Sequence, residues 1–424
     1  MKKIDNERFY TYWADSQHSW TVRMIITLRD EIDREQLQEA VRATQQRYPY
    51  FCVQLKKETD AEGHEYYAMD ENPLPWVVMS TRQPARLLSG ESNYHLLAFA
   101  CWDDCVAIDF FHALTDGTGA YNVLRTLLYE YCRRRYDSGL SREGVRIAGD
   151  IISPEEWADP GSMPRPQNLS PLPVPPMPRP INLNKEAVAP LSDTTETVCI
   201  EVDEQQMMKY VSGEDTSPAT LVSLLTARAI ARLHGDTTDA VPMTTLAINQ
   251  RPALGVPLSS HTLAASLRLP LNSEMKDMPL DMQQTIFRGM VVLQSNADNV
   301  ASTFWQMRDG MDQLDRIPTL AGRHQAMVGA DGRASGAGTF VVSYVGKGSF
   351  GASERYMTHF CTEVWPLYPL TIEMSAAGGR FCISWMQRFS TDVYLEALFD
   401  EMHQLGITPT ILWRRPLLVA SVAI

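Results

Sequence analysis

A proline-rich segment near the middle of the chain limits the possible folds more than any other feature. Prolines recur throughout residues 160–180 and are densest over 171–180. Proline has a fixed φ and no backbone N–H, so such a stretch forms neither a helix nor an internal strand and extends as a linker. A proline-rich ligand for a partner domain is the alternative interpretation.

The length of the chain also favours a division at this segment. With 424 residues, the chain is longer than one hydrophobic core usually supports, and two domains of roughly 200 residues each are expected. We therefore predict an N-terminal lobe over residues 1–159, a linker over 160–194 and a C-terminal lobe over 195–424.

Strand and helix signals alternate on both sides of the linker, which predicts an α/β (α+β) protein. Before the linker we predict a strand over residues 20–28, a helix from the N-cap Asp33 to Tyr48, a hairpin of strands over 94–102 and 105–111, and a helix after Gly117. After the linker we predict strands over 197–202, 241–248, 339–345 and 381–386, a helix that starts at Ser217-Pro218, and a helical segment over 282–314.

The charge of the chain excludes some classes of partner. The net charge is -13, and basic residues form no long runs. Nucleic acids and anionic membranes both require a positive surface, so neither is expected as a partner. The richest basic cluster, Arg133 to Arg135, ends an apolar-periodic segment, where cations complement a helix C-terminus.

The termini and apolar runs predict a cytoplasmic protein. After Met1-Lys2-Lys3-Ile4, the polar residues Asp5 to Arg8 stand where a signal peptide would need an apolar core. No apolar run approaches the roughly 18 residues that a membrane-spanning helix requires. We expect a monomer without a membrane span.

The seven cysteines are odd in number, scattered, and mostly surrounded by apolar residues. This usage is typical of reduced core thiols, Cys105 among them, and not of a disulfide framework. His359 and Cys361 are too few ligands for a zinc site. We therefore expect no metal.

The segment His112-Ala-Leu-Thr-Asp116-Gly117 carries the strongest chemical signal, because a strand delivers a histidine to a turn that opens a helix. A neutral imidazole can take the proton of an attacking alcohol or amine and return it to a leaving thiol. Asp116 is expected to point back to an arginine and fix the loop. The alternative is a hydrogen-bonded, half-buried histidine at a strand end.

This segment resembles the HxxxDG motif of the superfamily that contains condensation domains and alcohol acetyltransferase-like enzymes. Residues 37–49 are similar to the first helix of that superfamily, and Asn249-Gln250-Arg251-Pro252 is similar to its Asn-x-Arg element. Residues 342–346 resemble its Ser-Asn-x-Gly strand end, with Tyr344 in place of the usual asparagine and Ser343 as the remaining candidate polar group.

The resemblance implies two chloramphenicol-acetyltransferase-like lobes that form a V, with a tunnel between them and His112 at its middle. It implies direct attack on a thioester by the acceptor, without an acyl-enzyme. It also implies that Arg251 is the ionic partner of Asp116, that Gly117 and Asn249 support the site, and that Ser343 or a loop amide contacts the oxyanion or substrate.

Three functions are compatible with these residues. The first is transfer of an acyl group from an acyl-CoA cosubstrate to a small alcohol or amine, with no bound cofactor. The second uses an acyl-phosphopantetheine carrier protein as donor in a natural-product pathway; an acidic carrier would be repelled by this acidic chain, which favours the small donor. The third is a non-catalytic member that binds a metabolite in the cleft.

Two other patterns are interpreted structurally. Residues 346–351 match GxGxxG, but residues 352–360 lack the apolar periodicity of the helix that a dinucleotide site needs, so a glycine-rich turn is predicted. His234, at the end of a predicted helix, is expected to complement the helix C-terminus.

Overall fold

The structure, a computed structural model, describes residues 2–15, 18–212, 216–235, 239–334 and 337–424. The first half of the chain has these strands and helices: β1 (Lys2–Lys3), α1 (Arg8–Trp13), β2 (Thr21–Leu28), α2 (Arg34–Arg47), β3 (Val53–Thr59), β4 (Glu65–Glu71), β5 (Val78–Met79), β6 (Leu97–Trp102), β7 (Cys105–Phe111) and α3 (Gly117–Arg135).

The second half has these: β8 (Leu191–Asp203), α4 (Glu204–Ser212), α5 (Pro218–His234), β9 (Met243–Asn249), β10 (Ala264–Pro270), α6 (Leu280–Gln294), α7 (Ala297–Leu314), α8 (Leu320–Ala334), β11 (Phe340–Tyr344), β12 (Met357–Val364), β13 (Leu370–Ala377), β14 (Arg380–Phe389), α9 (Val393–Gln404) and β15 (Thr410–Pro416). None of the helices within the described residues has the length and apolar character needed to cross a bilayer.

Two large mixed sheets organise these elements. One has the strand order β12-β2-β7-β6-β5, and the other has the order β10-β9-β11-β13-β14-β8-β15. A small third sheet has the order β1-β4-β3. The predicted α/β (α+β) class is confirmed.

Each large sheet has its own hydrophobic core. On the first sheet, α2 and α3 present apolar residues at helical spacing, such as Leu37 and Val41 on α2 and Leu124 and Leu128 on α3. The second core is built in the same way from α5 and α9 against the longer sheet. Local sequence signals place these helices correctly: Asp33 caps α2 by accepting from the backbone of Glu35 and Gln36 at 3.1 Å each.

The first sheet is completed by a strand from the other half of the chain. β12 pairs antiparallel with β2, with Phe360 opposite Ile26 and Val364 opposite Val22. This crossover was not predicted, because strand pairing across more than 300 residues has no local signal.

The predicted helix over residues 282–314 is two helices. α6 ends at Gln294, and α7 begins after Asn296, whose side chain accepts a hydrogen bond from the backbone N–H of Asp298 at 3.0 Å. The apolar periodicity continues across this break, but an asparagine that caps a new helix start interrupts the hydrogen-bond ladder.

The proline-rich segment runs extended along the second half of the chain. The backbone N–H of Leu172 donates to the Asn299 side chain on α7 at 2.6 Å, and further along the backbone N–H of Ile181 donates to the carbonyl of Val241 at 2.9 Å. Its only ladder-like contact among the described residues is the bridge from Pro180 to Val241.

Two smaller predictions concern residues 346–351 and His234. After residues 346–351 the chain makes a short 3-10 turn (Gly351–Tyr356) and enters β12, so the glycine-rich turn is confirmed. His234 does end α5, but burial lowers its pKa, and its Nε2 lies 2.9 Å from the Tyr394 hydroxyl. His234 thus lies in the last turn of α5 together with Arg232, and its expected interaction with the helix C-terminus stays a prediction.

Candidate active site

The loop between β7 and α3 is fixed by hydrogen bonds to the backbone of His112. The N–H of His112 donates to the carbonyl of Trp20 at 2.9 Å, and the carbonyl of His112 accepts a hydrogen bond from the Thr262 hydroxyl. The N–H of Leu114 closes a turn on the carbonyl of Phe111 at 2.8 Å. The first and second halves of the chain thus both fix the backbone of His112.

The imidazole of His112 is half-buried and lies flat against the ring of Tyr10. The ring centroids are 4.6 Å apart and the planes differ by 3°. Burial lowers the pKa of His112 because it disfavours the imidazolium, although the nearby Asp116 carboxylate opposes this shift. The ring is therefore neutral at pH 7 and able to accept a proton.

Asp116 turns away from solvent and makes a bidentate ion pair with Arg251. The two N–O distances are 2.9 Å and 2.8 Å, and the side chains are 6% and 1% exposed. The same carboxylate caps α3 by accepting from the N–H of Thr118 at 3.0 Å, and it accepts from the N–H of Leu263 at 2.9 Å. One side chain therefore links the start of α3 to the second half of the chain.

Arg251 is itself fixed by backbone and side-chain acceptors. Its guanidinium donates to the carbonyls of Ser259 and His261 and to the Asn249 side chain, at 2.6, 2.5 and 3.1 Å. Asn249 also accepts from the backbone N–H of Arg251 at 3.0 Å. The guanidinium donors are thus directed to oxygen acceptors inside the protein, which makes this buried charge tolerable.

Gly117 allows the first turn of α3 to approach Val345, the residue that follows β11. A Cβ at this position would lie 2.3 Å from Cγ2 of Val345, closer than real Cβ contacts. We expect Gly117→Ala to lower the free energy of unfolding by about 1 kcal/mol, since the overpacking cost exceeds the gain in helix propensity.

Urea unfolding of Gly117→Ala and of Gly289→Ala tests this. Nothing lies within 4 Å of a Cβ at Gly289 on α6, so that variant should be at least as stable as the wild type. Adding Val345→Ala to Gly117→Ala should restore stability. Equal effects of the two glycine substitutions would contradict the steric account.

A second layer supports the Arg251 segment. His261 Nδ1 lies 2.9 Å from the Glu7 carboxylate, and its ring packs on Trp157 at a centroid distance of 3.8 Å. Burial alone would raise the pKa of Glu7, but the hydrogen bond and charge of His261 lower it to about 2.

This shift predicts a pH-dependent stability. A carboxyl whose folded pKa is depressed from 4.5 to about 2 contributes stability above pH 4.5 and loses it as the pH falls toward 2. The shift corresponds to about 3 kcal/mol. We expect Glu7→Gln to flatten the dependence of unfolding free energy on pH in that window, as measured by urea unfolding, whereas the exposed Glu31→Gln should not. Parallel profiles for the wild type and Glu7→Gln would contradict this assignment.

His112 opens into a cavity of about 540 Å³ between the two halves of the chain. Its polar side comes from the longer sheet, with Ser343 on β11 opposite Glu373 on β13. Burial raises the pKa of Glu373 to about 8, although a hydrogen bond with Ser343 opposes this. Asp116, Gly117 and Asn249 also line the cavity, and Arg251 lies behind it.

The apolar side of the cavity is aromatic and was not anticipated. Tyr10 on α1 packs against Trp20 at a centroid distance of 5.7 Å, and Trp20 packs against Trp365 at 5.3 Å. Phe9 and Trp13 add to the same wall. The run Phe9-Tyr10-Thr11-Tyr12-Trp13 is the only local signal that could have pointed to it.

Comparison with solved structures identifies proteins of similar fold. TRI101 of F. sporotrichioides, solved with coenzyme A and T-2, superposes with a TM-score of 0.58 at 14% identity, over 97% of this chain and 99% of that one. Polyketide synthase associated protein 5 from Mycobacterium tuberculosis gives 0.53 at 14% identity over 96% of each chain. The chain has the two-lobed fold of these proteins. Our fold prediction is thereby confirmed.

A condensation domain of the enacyloxin polyketide synthase also shares this fold, with a TM-score of 0.50 at 14% identity, over 96% of this chain and 83% of that one. No protein-family model and no curated protein matches the sequence. The similarity is therefore one of fold, and the roles of the site residues must be argued from their own geometry.

Proposed function

We propose that this protein is an acyltransferase that moves an acyl group from an acyl-CoA thioester to an alcohol or amine held in the cavity. The observation that carries the proposal is a neutral imidazole, fixed at the junction of the two halves of the chain and open to a cavity large enough for small substrates. A neighbour of the same fold solved with coenzyme A supports the choice of donor.

In the proposed reaction His112 is the general base. Its ring nitrogen takes the proton of the acceptor O–H or N–H as that atom attacks the thioester carbonyl. The tetrahedral intermediate collapses, the C–S bond breaks, and the imidazolium returns the proton to the departing CoA thiolate. No acyl-enzyme and no bound cofactor are needed.

Asp116 and Arg251 are proposed as positioning residues. Their ion pair fixes the loop that carries His112, and Asn249 and Gly117 hold the pair and the first turn of α3 in place. Because the Asp116 carboxylate is occupied by Arg251 and backbone N–H groups, it acts on the chemistry by orienting the loop.

Ser343 is proposed as the oxyanion donor. With its pKa raised to about 8, Glu373 is largely protonated at pH 7 and can donate to the Ser343 oxygen, which leaves the Ser343 hydroxyl proton for the developing oxyanion. As the pH rises through about 8, Glu373 ionises and accepts that proton instead.

We therefore expect Ser343→Ala to lower kcat by roughly 100- to 1,000-fold with a small change in KM. The alkaline fall in the wild-type rate near pH 8 should disappear in this variant. Steady-state rates of CoA release between pH 6 and 9 test both effects, with Ser302→Ala, outside the cavity lining, as control. An unchanged kcat would leave a loop amide as the oxyanion donor.

The proposed activity is tested by incubating the protein with a mixed acyl-CoA pool and cell extract. Free CoA should appear only when an acceptor is present, and mass spectrometry of the products identifies both substrates. His112→Ala should release CoA roughly 100- to 10,000-fold more slowly, whereas His403→Ala, an exposed histidine on α9, should behave as wild type. CoA release that His112→Ala fully retains would exclude the proposed mechanism.

A carrier-protein donor is the second candidate, supported by the fold shared with a condensation domain. The same chemistry would then take the acyl group from a phosphopantetheine thioester on a carrier protein. Parallel assays with one acyl group on CoA and on a phosphopantetheinylated carrier distinguish the two donors. Transfer from the carrier alone would select this alternative, and tight ligand binding without turnover of either donor would indicate a non-catalytic binding protein.

A further inference from the structure

Three cysteines that are far apart in the sequence meet inside the protein, outside the cavity of His112. Cys199 lies on β8, Cys361 on β12 and Cys382 on β14, and their exposed fractions are 0%, 3% and 3%. The Sγ atoms of Cys199 and Cys361 are 3.1 Å apart, and all three Sγ atoms lie within 4.8 Å of one another.

The cluster lies where the two large sheets meet. β8 and β14 are neighbours in the longer sheet, whereas β12 belongs to the first sheet. Leu412 and Trp413 of β15 pack against the three thiols. A ligand shared by these cysteines would therefore fasten one sheet to the other.

One edge of the cluster is polar and reaches solvent. His359 is two residues before Cys361 on β12, and its Nε2 lies 3.0 Å from the Glu201 carboxylate, with the two side chains 27% and 20% exposed. Glu201 stands opposite Cys382 in the β8–β14 register. A carboxylate that orients a histidine beside a set of thiols is the outer-shell arrangement found around many zinc ions.

The sulfurs are close enough together to share one ion. Zinc–sulfur bonds of about 2.3 Å place sulfurs around one tetrahedral ion about 3.8 Å apart, so the Sγ atoms of Cys199 and Cys361, 3.1 Å apart, have to separate slightly when the ion binds. Thiolates select soft and borderline ions such as Zn²⁺ over Mg²⁺ or Ca²⁺. Cysteines separated by up to 183 positions lack the short spacing by which such sites are recognised in a sequence, which is why the sequence predicted none.

We propose that Cys199, Cys361 and Cys382 bind a thiophilic metal ion of the Zn²⁺ class. His359 lies outside the set of atoms within 4.8 Å of one another, so its side chain has to turn toward the ion to become the fourth ligand. Binding converts the three thiols to thiolates and releases their three protons. With a neutral imidazole, three thiolates on Zn²⁺ leave one net negative charge, and Arg380, 2.8 Å from Glu201, lies at the same rim. The ion has a structural role that is independent of the proposed acyl transfer.

Cadmium titration of the reduced, metal-free full chain tests the site directly. We expect a thiolate-to-metal charge-transfer band that saturates at one equivalent and disappears when a chelator removes the ion. Cys361→Ser and Cys382→Ser should lose most of this band, whereas Cys101→Ser, a buried cysteine on β6, should keep it. No saturable band in the wild type, or an equal band in the cluster variants, would overturn the proposal.

Two further measurements do not depend on how well the serine variants fold. Glu201→Gln should weaken Zn²⁺ binding by about 10- to 100-fold, as removal of an outer-shell partner does. The melting temperature of the wild type should rise with added Zn²⁺ and fall with a chelator. If the reduced chain takes up no metal and mild oxidation lowers its mass by two hydrogens, a cysteine pair forms a disulfide instead, and the metal site is excluded.

Discussion

Replacement of His112 by alanine is expected to lower the rate of acyl transfer by roughly 100- to 10,000-fold, the usual contribution of one general base. The effect should fall on kcat, because the imidazole acts on the proton that moves in the transition state. His112 is half-buried at a loop whose backbone is held by Trp20 and Thr262, so the variant should keep its fold. A melting temperature of His112→Ala close to that of the wild type would show that the variant has lost activity and kept its fold.

The pH profile gives a second measurement on the same residue. Burial lowers the pKa of His112, so the base form predominates at neutral pH and the rate should fall only as the pH drops below 6.5. The acidic limb of kcat/KM should be absent from the residual activity of His112→Ala. An acidic limb centred above 6.5 would mean that another group titrates.

Replacement of Arg251 by alanine has the largest expected effect on stability. The substitution leaves the Asp116 carboxylate buried without its countercharge, and breaking one side of a buried pair costs about 3–5 kcal/mol. Arg251→Lys should recover little, because an ammonium cannot reproduce the two parallel bonds to the carboxylate or reach the Ser259 and His261 carbonyls together. Urea unfolding measures the loss, and kcat should fall with it because the His112 loop loses its anchor.

Surface and double substitutions make this prediction specific. Arg414 pairs with Asp392 at 2.9 Å, but the two side chains are 42% and 32% exposed, so Arg414→Ala should cost less than about 1 kcal/mol. The double variant Asp116→Ala with Arg251→Ala should lose less unfolding free energy than the two single variants lose in sum, because it leaves no unpaired charge. Additive effects would indicate that the two charges do not interact.

Much of the local structure follows from the sequence because its causes are local. Asp33 and Ser217 cap helices where the pattern predicts them, and the hairpin that delivers His112 follows from two apolar runs around a turn. The loop from His112 to Gly117 could be predicted as a candidate site for the same reason: strand, turn and helix start are adjacent in the chain.

What the sequence could not predict depends on distant contacts. The packing of Tyr10 on His112 joins residues separated by about a hundred positions, and the raised pKa of Glu373 arises from burial that only the assembled sheet creates. The break at Asn296 was missed because periodicity reports which face is apolar and is insensitive to a cap. The division of the chain at 159 and 195 stays a prediction.

The position of β12 has a consequence for biosynthesis. During translation the outer edge of β2 has no neighbour until residue 364 has left the ribosome, although β2, β6 and β7 are synthesised long before. An open strand edge can pair with another chain. Until residue 364 has emerged from the ribosome tunnel, the nascent chain should therefore need chaperones to protect this edge. Fragments 1–159 and 160–424 should become soluble together when they are co-expressed.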